Sequence, residues 1–266
     1  MAIATLSGVL DIVRDTARIG LEYQRQVGRR APEYKKDGSV VTAADRDIED
    51  ALCDRIGRLA PGCNFVTEER PRQYRDGAEY TFVIDPIDGS DNFSNGAPFW
   101  SISVGLLDAE LRPVGGIVYA PRIDFLLFAD IGAQATLNGE RIERPEREDG
   151  LSGLSTILVS SRVHRQLDLR NFPGKVRGLG SAALNLGMTA AYPGVTGTVQ
   201  DDRAFAWDIA GAHAALLSLG YEVAYFGGGS IDYRMMKGGN WKIAGFILAA
   251  KPGMAGELSR CVHRLS

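Results

Sequence analysis

Asp85-Pro-Ile-Asp-Gly-Ser-Asp-Asn-Phe93 follows directly on the apolar run Phe82-Val83-Ile84, and this stretch decides how the chain is interpreted. The apolar run predicts a buried strand that Pro86 ends, and Gly89 predicts a tight turn before a helix that begins at Ser90. The strand therefore delivers two aspartates to its end. Carboxylates with oxygen-only neighbours favour a hard cation such as magnesium. Backbone amides at the start of a helix favour a phosphate. A metal ion beside a phosphate indicates phosphoryl transfer to water.

Composition limits the classes of function that fit the chain. Its 266 residues can form a large core, as one domain or two packed halves, and its net charge of −3 gives no basic field that predicts a nucleic-acid partner. The three cysteines have no Cys-x-x-Cys spacing, which predicts reduced thiols in a cytoplasmic protein. The three scattered histidines disfavour a zinc or Ser-His-Asp enzyme. No apolar stretch is long enough to predict a membrane span.

The pattern of apolar residues predicts an α/β protein with two halves. Residues 1–145 are expected to form an α+β subdomain and residues 146–266 an α/β subdomain, divided within Arg144–Gly153. Helices are expected over 2–28 and 43–60, and near 181–191 and 207–219. Strands are expected over 64–67, 80–84, 100–107, 114–120, 125–129, 156–160, 175–178, 221–226 and 243–250.

Acidic residues stand at the ends of predicted elements in four separate segments. They are Asp45, Glu68, Glu69, Asp85, Asp88 and Asp208. Taken singly, each has a plain interpretation as a helix N-cap, a solvated loop or a simple turn. If the segments converge, several anions share one cleft, and only cations can neutralise them. The joint pattern therefore predicts two or three magnesium ions.

Further motifs give the chain a resemblance to the inositol monophosphatase family of magnesium-dependent, lithium-sensitive phosphatases. The most specific of them are the Asp85–Gly89 core and Trp207-Asp-Ile-Ala-Gly211. The other matching segments are Lys35–Asp45, Glu68–Glu69, Ser90–Phe93, Gly96–Phe99 and Gly180–Asn185. The resemblance covers most of the chain. It implies a layered αβαβα sandwich of the inositol monophosphatase and fructose bisphosphatase type, and a homodimer.

The resemblance also implies how the ions are held. A first magnesium ion would be bound by Glu68, Asp85 and the carbonyl of Ile87. A second would be bound by Asp85, Asp88 and Asp208, and Glu68 would help to hold a third. The N-terminal subdomain would thus carry most of the metal ligands.

Water and phosphate would be placed by neighbouring groups, again by resemblance. The hydroxyl of Ser90, supported by Asp45, would orient the attacking water and help to take its proton. The amides of Gly89 and Ser90 would hold the phosphate oxygens. The family usually has threonine at this serine position, and serine lacks the methyl group that restricts the rotamer. Lys35 would balance the negative charge, although a solvated lysine is an equally open interpretation.

The leaving group would meet the backbone of Gly180, Ser181 and Ala182, and the side chain of Asp201. Asp201 stands where inositol-specific members have a glutamate, and it would either accept hydrogen bonds from a polyol or attract a cation such as histidinol. For Asp202 a solvated turn is the favoured interpretation. The expected substrate is a small phosphorylated metabolite, with inositol monophosphate or a similar polyol phosphate first. Histidinol phosphate comes next, followed by nucleotide 3′-phosphates and fructose bisphosphate.

Two other classes of function remain open. Gly178-Leu-Gly-Ser-Ala-Ala183 fits the Gly-x-Gly-x-x-Ala pattern of a dinucleotide-binding dehydrogenase, with Asp201 near the place of a ribose-binding acid. A single match in mid-chain is weak support, and it leaves the other acids unexplained. Some bacterial relatives of the family also act in RNA-associated complexes through protein contacts, so an RNA-associated or regulatory binding role is the second alternative.

Overall fold

The computed structural model describes residues 2–26, 33–34, 40–41 and 43–265. The helices in these ranges are α1 (Ala2–Gln24), α2 (Ala43–Leu59), α3 (Ser90–Ser94), α4 (Ala182–Ala191), α5 (Ala206–Ser218), α6 (Tyr233–Gly238) and α7 (Ala255–Cys261). The strands are β1 (Glu33–Tyr34), β2 (Val40–Val41), β3 (Asn64–Thr67), β4 (Thr81–Asp88), β5 (Ser101–Leu107), β6 (Pro113–Ala120), β7 (Phe125–Ala129), β8 (Thr136–Leu137), β9 (Glu140–Arg141), β10 (Thr156–Val159), β11 (Leu167–Asp168), β12 (Lys175–Arg177), β13 (Gly197–Gln200), β14 (Glu222–Tyr225), β15 (Ile247–Ala250) and β16 (His263–Arg264).

The elements stack in five layers. Helices α1 and α2 cover one face of a seven-stranded sheet, and helices α4 and α5 lie between that sheet and a five-stranded sheet. Helix α7 packs against the outer face of the five-stranded sheet. This arrangement confirms the predicted αβαβα sandwich. None of the helices in the described ranges combines the length and the apolar character that crossing a bilayer requires.

The seven-stranded sheet has the order β3-β4-β5-β6-β7-β8-β9, and only its β3–β4 pair is parallel. The sheet of the first half is therefore largely antiparallel. One expectation is wrong, because Pro86 does not end strand β4, which continues to Asp88. The register shifts between the pairs Asp85–Ser103 and Asp88–Ser101, so a bulge accommodates the proline where the ladder needs no N–H donor.

The five-stranded sheet has the order β12-β10-β13-β15-β14, and only β15 runs against its neighbours. Strand β13 and the short helices α6 and α7 did not show in the apolar pattern. In β13 the polar residues Thr198 and Gln200 are buried and bond to each other at 2.8 Å, so the strand lacks an apolar signature. Residues 142–155 join the two sheets without a helix or strand, and a division at residue 145 stays a prediction.

Helix α5 lies directly on the seven-stranded sheet because the facing residues are small. A side-chain carbon added at Gly105 would lie 2.3 Å from the Cβ of Ala210. One added at Gly116 would lie 2.2 Å from the carbonyl oxygen of Gly211. Since real side-chain carbons cannot approach so closely, glycine is required at both strand positions. This close packing fixes the start of α5, and with it Asp208, beside the end of β4.

Candidate active site

Carboxylates from separate segments meet in one cleft of about 500 Å³, a volume typical of small-molecule sites. One oxygen from each of Asp85, Asp88 and Asp208 lies within 4.8 Å of the other two. Glu68 lines the same cleft. The charge of Asp45, which is fully buried on α2, also helps to raise the pKa of Asp85. We call Glu68, Asp85, Asp88 and Asp208 the acidic cluster, and its formation confirms that the predicted segments converge.

The electrostatics of the acidic cluster are those of crowded, buried anions. Burial raises the pKa of Asp85 well above its usual range, and the charges of Glu68 and Asp88 raise it further. Burial also raises the pKa of Asp208, and the charge of Asp88 raises it further. The pKa of Asp88 is raised by burial to about 6, although a hydrogen bond from Ser181 lowers it. Full ionisation of such a group requires cations.

The donor set fits a hard divalent cation. The three convergent groups of the acidic cluster are all carboxylates, and neither histidine nor cysteine takes part in that group within the described ranges. Oxygen-only donors suit magnesium rather than zinc or copper. The carbonyl oxygen of Ile87 lies in the same turn, where the hydroxyl of Ser90 donates to it at 3.1 Å. The residues present can therefore hold magnesium.

Asp88 connects the end of β4 to the start of α4. Its carboxylate accepts hydrogen bonds from the backbone N–H groups of Ala182 at 3.1 Å and Ala183 at 2.8 Å, and from the hydroxyl of Ser181. The Ser181 hydroxyl oxygen in turn accepts from Leu184 N at 3.2 Å and caps the helix. Ser181 and Ala182 line the cleft as predicted. However, the hydroxyl of Ser181 and the N–H of Ala182 both donate to Asp88.

The turn at the end of β4 depends on a glycine. Gly89 has a φ of 91°, and a side-chain carbon there would lie 2.9 Å from the carbonyl oxygen of Phe99. Asp85 stabilises the preceding bend, since its Oδ1 accepts from the N–H of Ile87 at 3.0 Å. Gly89 and Ser90 consequently line the cleft at the start of α3, beside Asp88.

Asp208 lies in the first turn of α5. It is the third residue of the helix, and its Oδ2 accepts from the N–H of Phe205 at 2.6 Å, so it is not the N-cap itself. The ring of Trp207 stacks on that of Phe205 with 4.7 Å between centroids, and the Ser103 hydroxyl donates to the Trp207 carbonyl at 3.0 Å. Strand β5 and the aromatic stack thus fix the helix start that carries Asp208.

Glu49 is a buried residue of this region that the sequence analysis did not identify. Its Oε2 accepts from the N–H of Glu69 at 2.8 Å, which anchors the segment that carries Glu68. Burial raises the pKa of Glu49, and the Glu69 hydrogen bond lowers it. The available signal was its spacing of four residues from Asp45, which places both on one helix face. The predicted Lys35 lies outside the described residues.

Gly180 lies in the cleft, but its surroundings differ from those of a dinucleotide-binding turn. A side-chain carbon there would lie 2.8 Å from Nδ2 of Asn92. That Nδ2 donates to the carbonyls of Leu179 at 2.7 Å and Phe99 at 2.6 Å, so Asn92 links α3 to the second half of the chain. The close approach of Asn92 gives the glycine a structural role without a bound dinucleotide.

The segment between β13 and α5 forms another wall of the cleft. Asp201 lines it, as predicted, and its Oδ1 accepts from the N–H of Arg203 at 3.0 Å. Asp202 does not line the cleft and accepts from Nε2 of Gln166 at 3.1 Å, in agreement with its interpretation as a turn residue. Arg203 and Lys242 also line the cleft, and neither was identified from the sequence.

Comparisons with known proteins agree with this geometry. The family model described as "Inositol monophosphatase family" matches residues 1–258. An inositol-1-monophosphatase from Mesorhizobium japonicum is 30% identical over 226 residues, which cover 81% of this chain and 84% of that protein. A fructose-1,6-bisphosphatase/inositol-1-monophosphatase from Thermotoga maritima is 34% identical over 212 residues, covering 76% of this chain and 78% of that protein.

A solved structure of an IMPase/NADP phosphatase in complex with Mg²⁺ and phosphate has the same fold. It matches with a TM-score of 0.76 and 18% identity, over 92% of this chain and 90% of that one. At that identity the likeness concerns the fold alone. The family match over nearly the whole chain carries the assignment further: this chain belongs to the inositol monophosphatase family and is a phosphatase that hydrolyses phosphate monoesters.

Proposed function

We propose that this protein uses magnesium to hydrolyse a small phosphate monoester, and that inositol monophosphate or a similar polyol phosphate is its substrate. The observation that carries the proposal is the convergence of Asp85, Asp88 and Asp208 beside the Gly89–Ser90 turn. The names of the relatives from Mesorhizobium and Thermotoga support the substrate class.

The proposed ion sites use the acidic cluster. Glu68, Asp85 and the carbonyl of Ile87 hold one ion, Asp85, Asp88 and Asp208 hold a second, and Glu68 assists a third. When bound, magnesium neutralises these carboxylates, lowers the pKa of a water molecule and stabilises the charge of the leaving oxygen. The all-oxygen donor set and the Mg²⁺ found in the IMPase/NADP phosphatase support this assignment.

The remaining groups position water and phosphate. The Ser90 hydroxyl donates to the Ile87 carbonyl, which leaves its lone pairs to accept a hydrogen bond from the attacking water. Asp45, buried beside the acidic cluster, supports that serine and helps to hold the proton. The amides of Gly89 and Ser90 hold the phosphate oxygens. Water attacks phosphorus, the ester P–O bond breaks, and the alcohol leaves with a proton.

The leaving group occupies the wall formed by Gly180, Ser181, Ala182 and Asp201. Histidinol phosphate is the second candidate substrate, because the carboxylate of Asp201 lies in the cleft. Nucleotide 3′-phosphates and fructose 1,6-bisphosphate follow. We further propose a cytoplasmic protein without nucleic-acid partners, supported by the three free cysteines and the net charge of −3. A homodimer and the absence of a membrane partner are also part of the proposal, and the homodimer rests on the family resemblance alone. An RNA-associated or regulatory binding role is the alternative from a different class.

The test is phosphate release from inositol 1-phosphate, histidinol phosphate, adenosine 3′,5′-bisphosphate and fructose 1,6-bisphosphate, each with magnesium and with chelator. We expect release that the chelator abolishes and that is fastest for a polyol phosphate. A preference for histidinol phosphate would keep the chemistry and reassign the substrate. Absence of magnesium-dependent release from all four would contradict the proposal and favour the binding role.

A further inference from the structure

A second cavity lies where the segment that joins the two sheets passes the end of α4. Its volume is about 590 Å³, which is within the range of small-molecule sites. The lining comes from residues between 137 and 148, from the last turn of α4 and the loop after it, and from the residues next to β14 and β15. We call it the linker cavity. Among the described residues, none lines both this cavity and the active-site cleft.

The ladder between β14 and β15 brings Tyr221 and Lys251 together at this cavity. Glu222 pairs with Ala250 in the antiparallel ladder, so Tyr221 and Lys251 are the next two residues to face each other. Residues in such a relation project their side chains to the same side. Both line the linker cavity, and both are only 5% exposed. One wall of the cavity therefore carries two nearly buried polar side chains.

The hydroxyl of Tyr221 forms no hydrogen bond with any residue in the described ranges. It is nevertheless not among the polar atoms that the protein encloses completely. Because the rest of Tyr221 is buried, this accessible hydroxyl faces the linker cavity. Burial, together with the charge of Glu148, raises the pKa of Tyr221 to about 12, so the hydroxyl keeps its proton at neutral pH. Since buried polar groups are normally hydrogen-bonded, this free donor points to a ligand.

Lys251 offers a second donor to the same space. Its ammonium group donates to Oε1 of Glu148 and to the carbonyl of Pro193, which uses two of its three N–H bonds. In the described part of the chain, no third acceptor lies within hydrogen-bond distance of this group. The other carboxylate oxygen of Glu148 accepts from the Thr196 hydroxyl at 3.4 Å. The charge of Lys251 is therefore neutralised, while one of its N–H bonds stays free for a ligand.

The remaining lining combines apolar side chains with a rim of balanced charge. Leu137, Ile142, Ala190 and Ala191 provide the apolar surface, and the small alanines leave room for a ring. The rim carries as many glutamates as arginines, namely Glu140, Arg141, Glu143, Arg144, Glu146 and Arg147. Because the inner Glu148 and Lys251 also form an ion pair, the linker cavity has no net charge that would attract an ion.

We propose that the linker cavity is a second binding site, for a neutral small molecule that combines an apolar ring with a carbonyl group. The two lone pairs of the carbonyl oxygen accept from the Tyr221 hydroxyl and from the free N–H of Lys251. The ring packs on Ala190 and Ala191. A charged molecule would lose hydration there without gaining an unpaired counter-charge. The inference concerns a different place from the proposed function and does not depend on it.

The experiment uses benzamide, which consists of an apolar ring and a carbonyl-bearing amide. A titration of the full chain, followed by ligand-observed NMR, should give a dissociation constant of about 1 mM for so small a molecule. Benzoate and benzylammonium place a negative or a positive charge on the same ring, and each should bind at least about fivefold more weakly. Excess inorganic phosphate with magnesium should leave the affinity for benzamide unchanged, because the cleft is a separate site.

Tyr221→Phe removes only the hydroxyl group. It should weaken benzamide binding about fivefold, which corresponds to one hydrogen bond. Because the hydroxyl has no protein partner in the described ranges, the variant should melt at a temperature no lower than wild type does. Tyr192→Phe is the matched control, since Tyr192 is exposed and lies outside the cavity. It should bind benzamide as wild type does.

Several results would overturn the inference. If benzamide shows no saturable binding, the linker cavity is not a site for this class of molecule. If Tyr221→Phe and wild type bind it equally, or if phosphate with magnesium displaces it, the probe is bound elsewhere. Tighter binding of benzoate or benzylammonium would show that the site takes an ion. A lower melting temperature of Tyr221→Phe would mean that the protein itself satisfies the hydroxyl.

Discussion

The acidic cluster and the two cations Arg203 and Lys242 lie at the same cleft but are built in opposite ways. Asp85 and Asp88 are 1% and 5% exposed, and backbone N–H groups at 2.6–3.0 Å hold carboxylates of the acidic cluster in place. Arg203 and Lys242 are exposed, and within the described ranges they have no ion-pair partner. The main chain thus fixes the groups assigned to chemistry, whereas the exposed side chains of Arg203 and Lys242 can change with little cost to the fold.

The largest expected effect comes from removing one charge of the acidic cluster. Asp88→Asn should lower kcat about a thousandfold, because metal-assisted stabilisation amounts to several kcal/mol. The amide nitrogen would also oppose the N–H donors of Ala182 and Ala183, so a small loss of thermal stability should accompany it. Phosphate-release assays and thermal melts measure the two effects.

Asp202→Asn is the matched control for that variant. Asp202 lies outside the cleft and accepts one hydrogen bond from Gln166, which an asparagine oxygen can still accept. Its activity should stay at the wild-type level. Near-normal turnover in the folded Asp88→Asn protein would contradict the metal assignment.

The second largest expected effect tests what the Ser90 hydroxyl contributes to the rate, separately from the carboxylates of the acidic cluster. Ser90→Ala should lower kcat about a hundredfold, the usual contribution of a positioned proton acceptor. Ser90→Thr keeps the hydroxyl that donates to the Ile87 carbonyl and should remain within about threefold of wild type. Steady-state kinetics at saturating magnesium measure both. If Ser90→Ala were as active as Ser90→Thr, the Ser90 hydroxyl would have no role in the mechanism.

A third test uses the buried face of α5, the helix that also carries Asp208. His213 is buried and hydrogen-bonded to the Tyr233 hydroxyl at 3.0 Å, and burial lowers its pKa to about 4. As pH falls below about 6.5, the unfolded chain binds a proton that the folded chain does not, so stability decreases. Between pH 7.5 and pH 5 this difference amounts to about 2 kcal/mol.

Urea unfolding of wild type and His213→Gln at these two pH values measures that contribution. The variant lacks the titrating ring, so its loss of stability on acidification should be smaller by about 2 kcal/mol. Equal losses in the two proteins would show that the histidine takes up its proton in the folded state. The acidic cluster is common to both proteins and cancels in the comparison.

The smallest expected effect concerns Glu49, whose hydrogen bond anchors the segment that carries Glu68 of the acidic cluster. Glu49→Ala removes the acceptor of the Glu69 N–H, so the segment bearing Glu68 loses its anchor and the apparent magnesium affinity should fall about tenfold. Glu49→Gln keeps an acceptor oxygen and should restore most of it. The rate as a function of magnesium concentration is the measurement.

Asp50→Asn provides the control on the same helix. Asp50 contacts the same segment through exposed ion pairs with Arg70 at 2.9 Å and Arg72 at 3.5 Å, which contribute little in water. Its magnesium dependence should match wild type. If Asp50→Asn and Glu49→Ala behaved alike, the buried hydrogen bond would have no special part in holding Glu68.

The sequence revealed the acidic cluster and the main layers because both follow from short-range patterns. Apolar runs predicted most strands of the seven-stranded sheet, and acids at the ends of predicted elements identified the residues that we propose as metal ligands. The strand end predicted at Pro86 was wrong, because a bulge lets β4 continue past the proline. Strand β13 was hidden by buried polar residues whose partners appear only in the folded chain.

Two cations that line the cleft could not be found in this way. Arg203 and Lys242 are far apart in sequence, and exposed arginines and lysines are ordinary surface residues when viewed singly. Only the pairing of residues 204–206 with 241–243 brings them to one wall. Asn92 was likewise part of a recognised motif, but its contact with the Leu179 carbonyl depends on how the two halves pack.

The most direct test of the central claim is anomalous diffraction from crystals soaked with Mn²⁺, a magnesium substitute, and inorganic phosphate. We expect anomalous peaks for Mn²⁺ ions at the carboxylates of the acidic cluster, with phosphate beside the amides of Gly89 and Ser90. The carboxylates are those of Glu68, Asp85, Asp88 and Asp208. Phosphate bound elsewhere, or manganese absent from the acidic cluster at concentrations that support turnover, would contradict it.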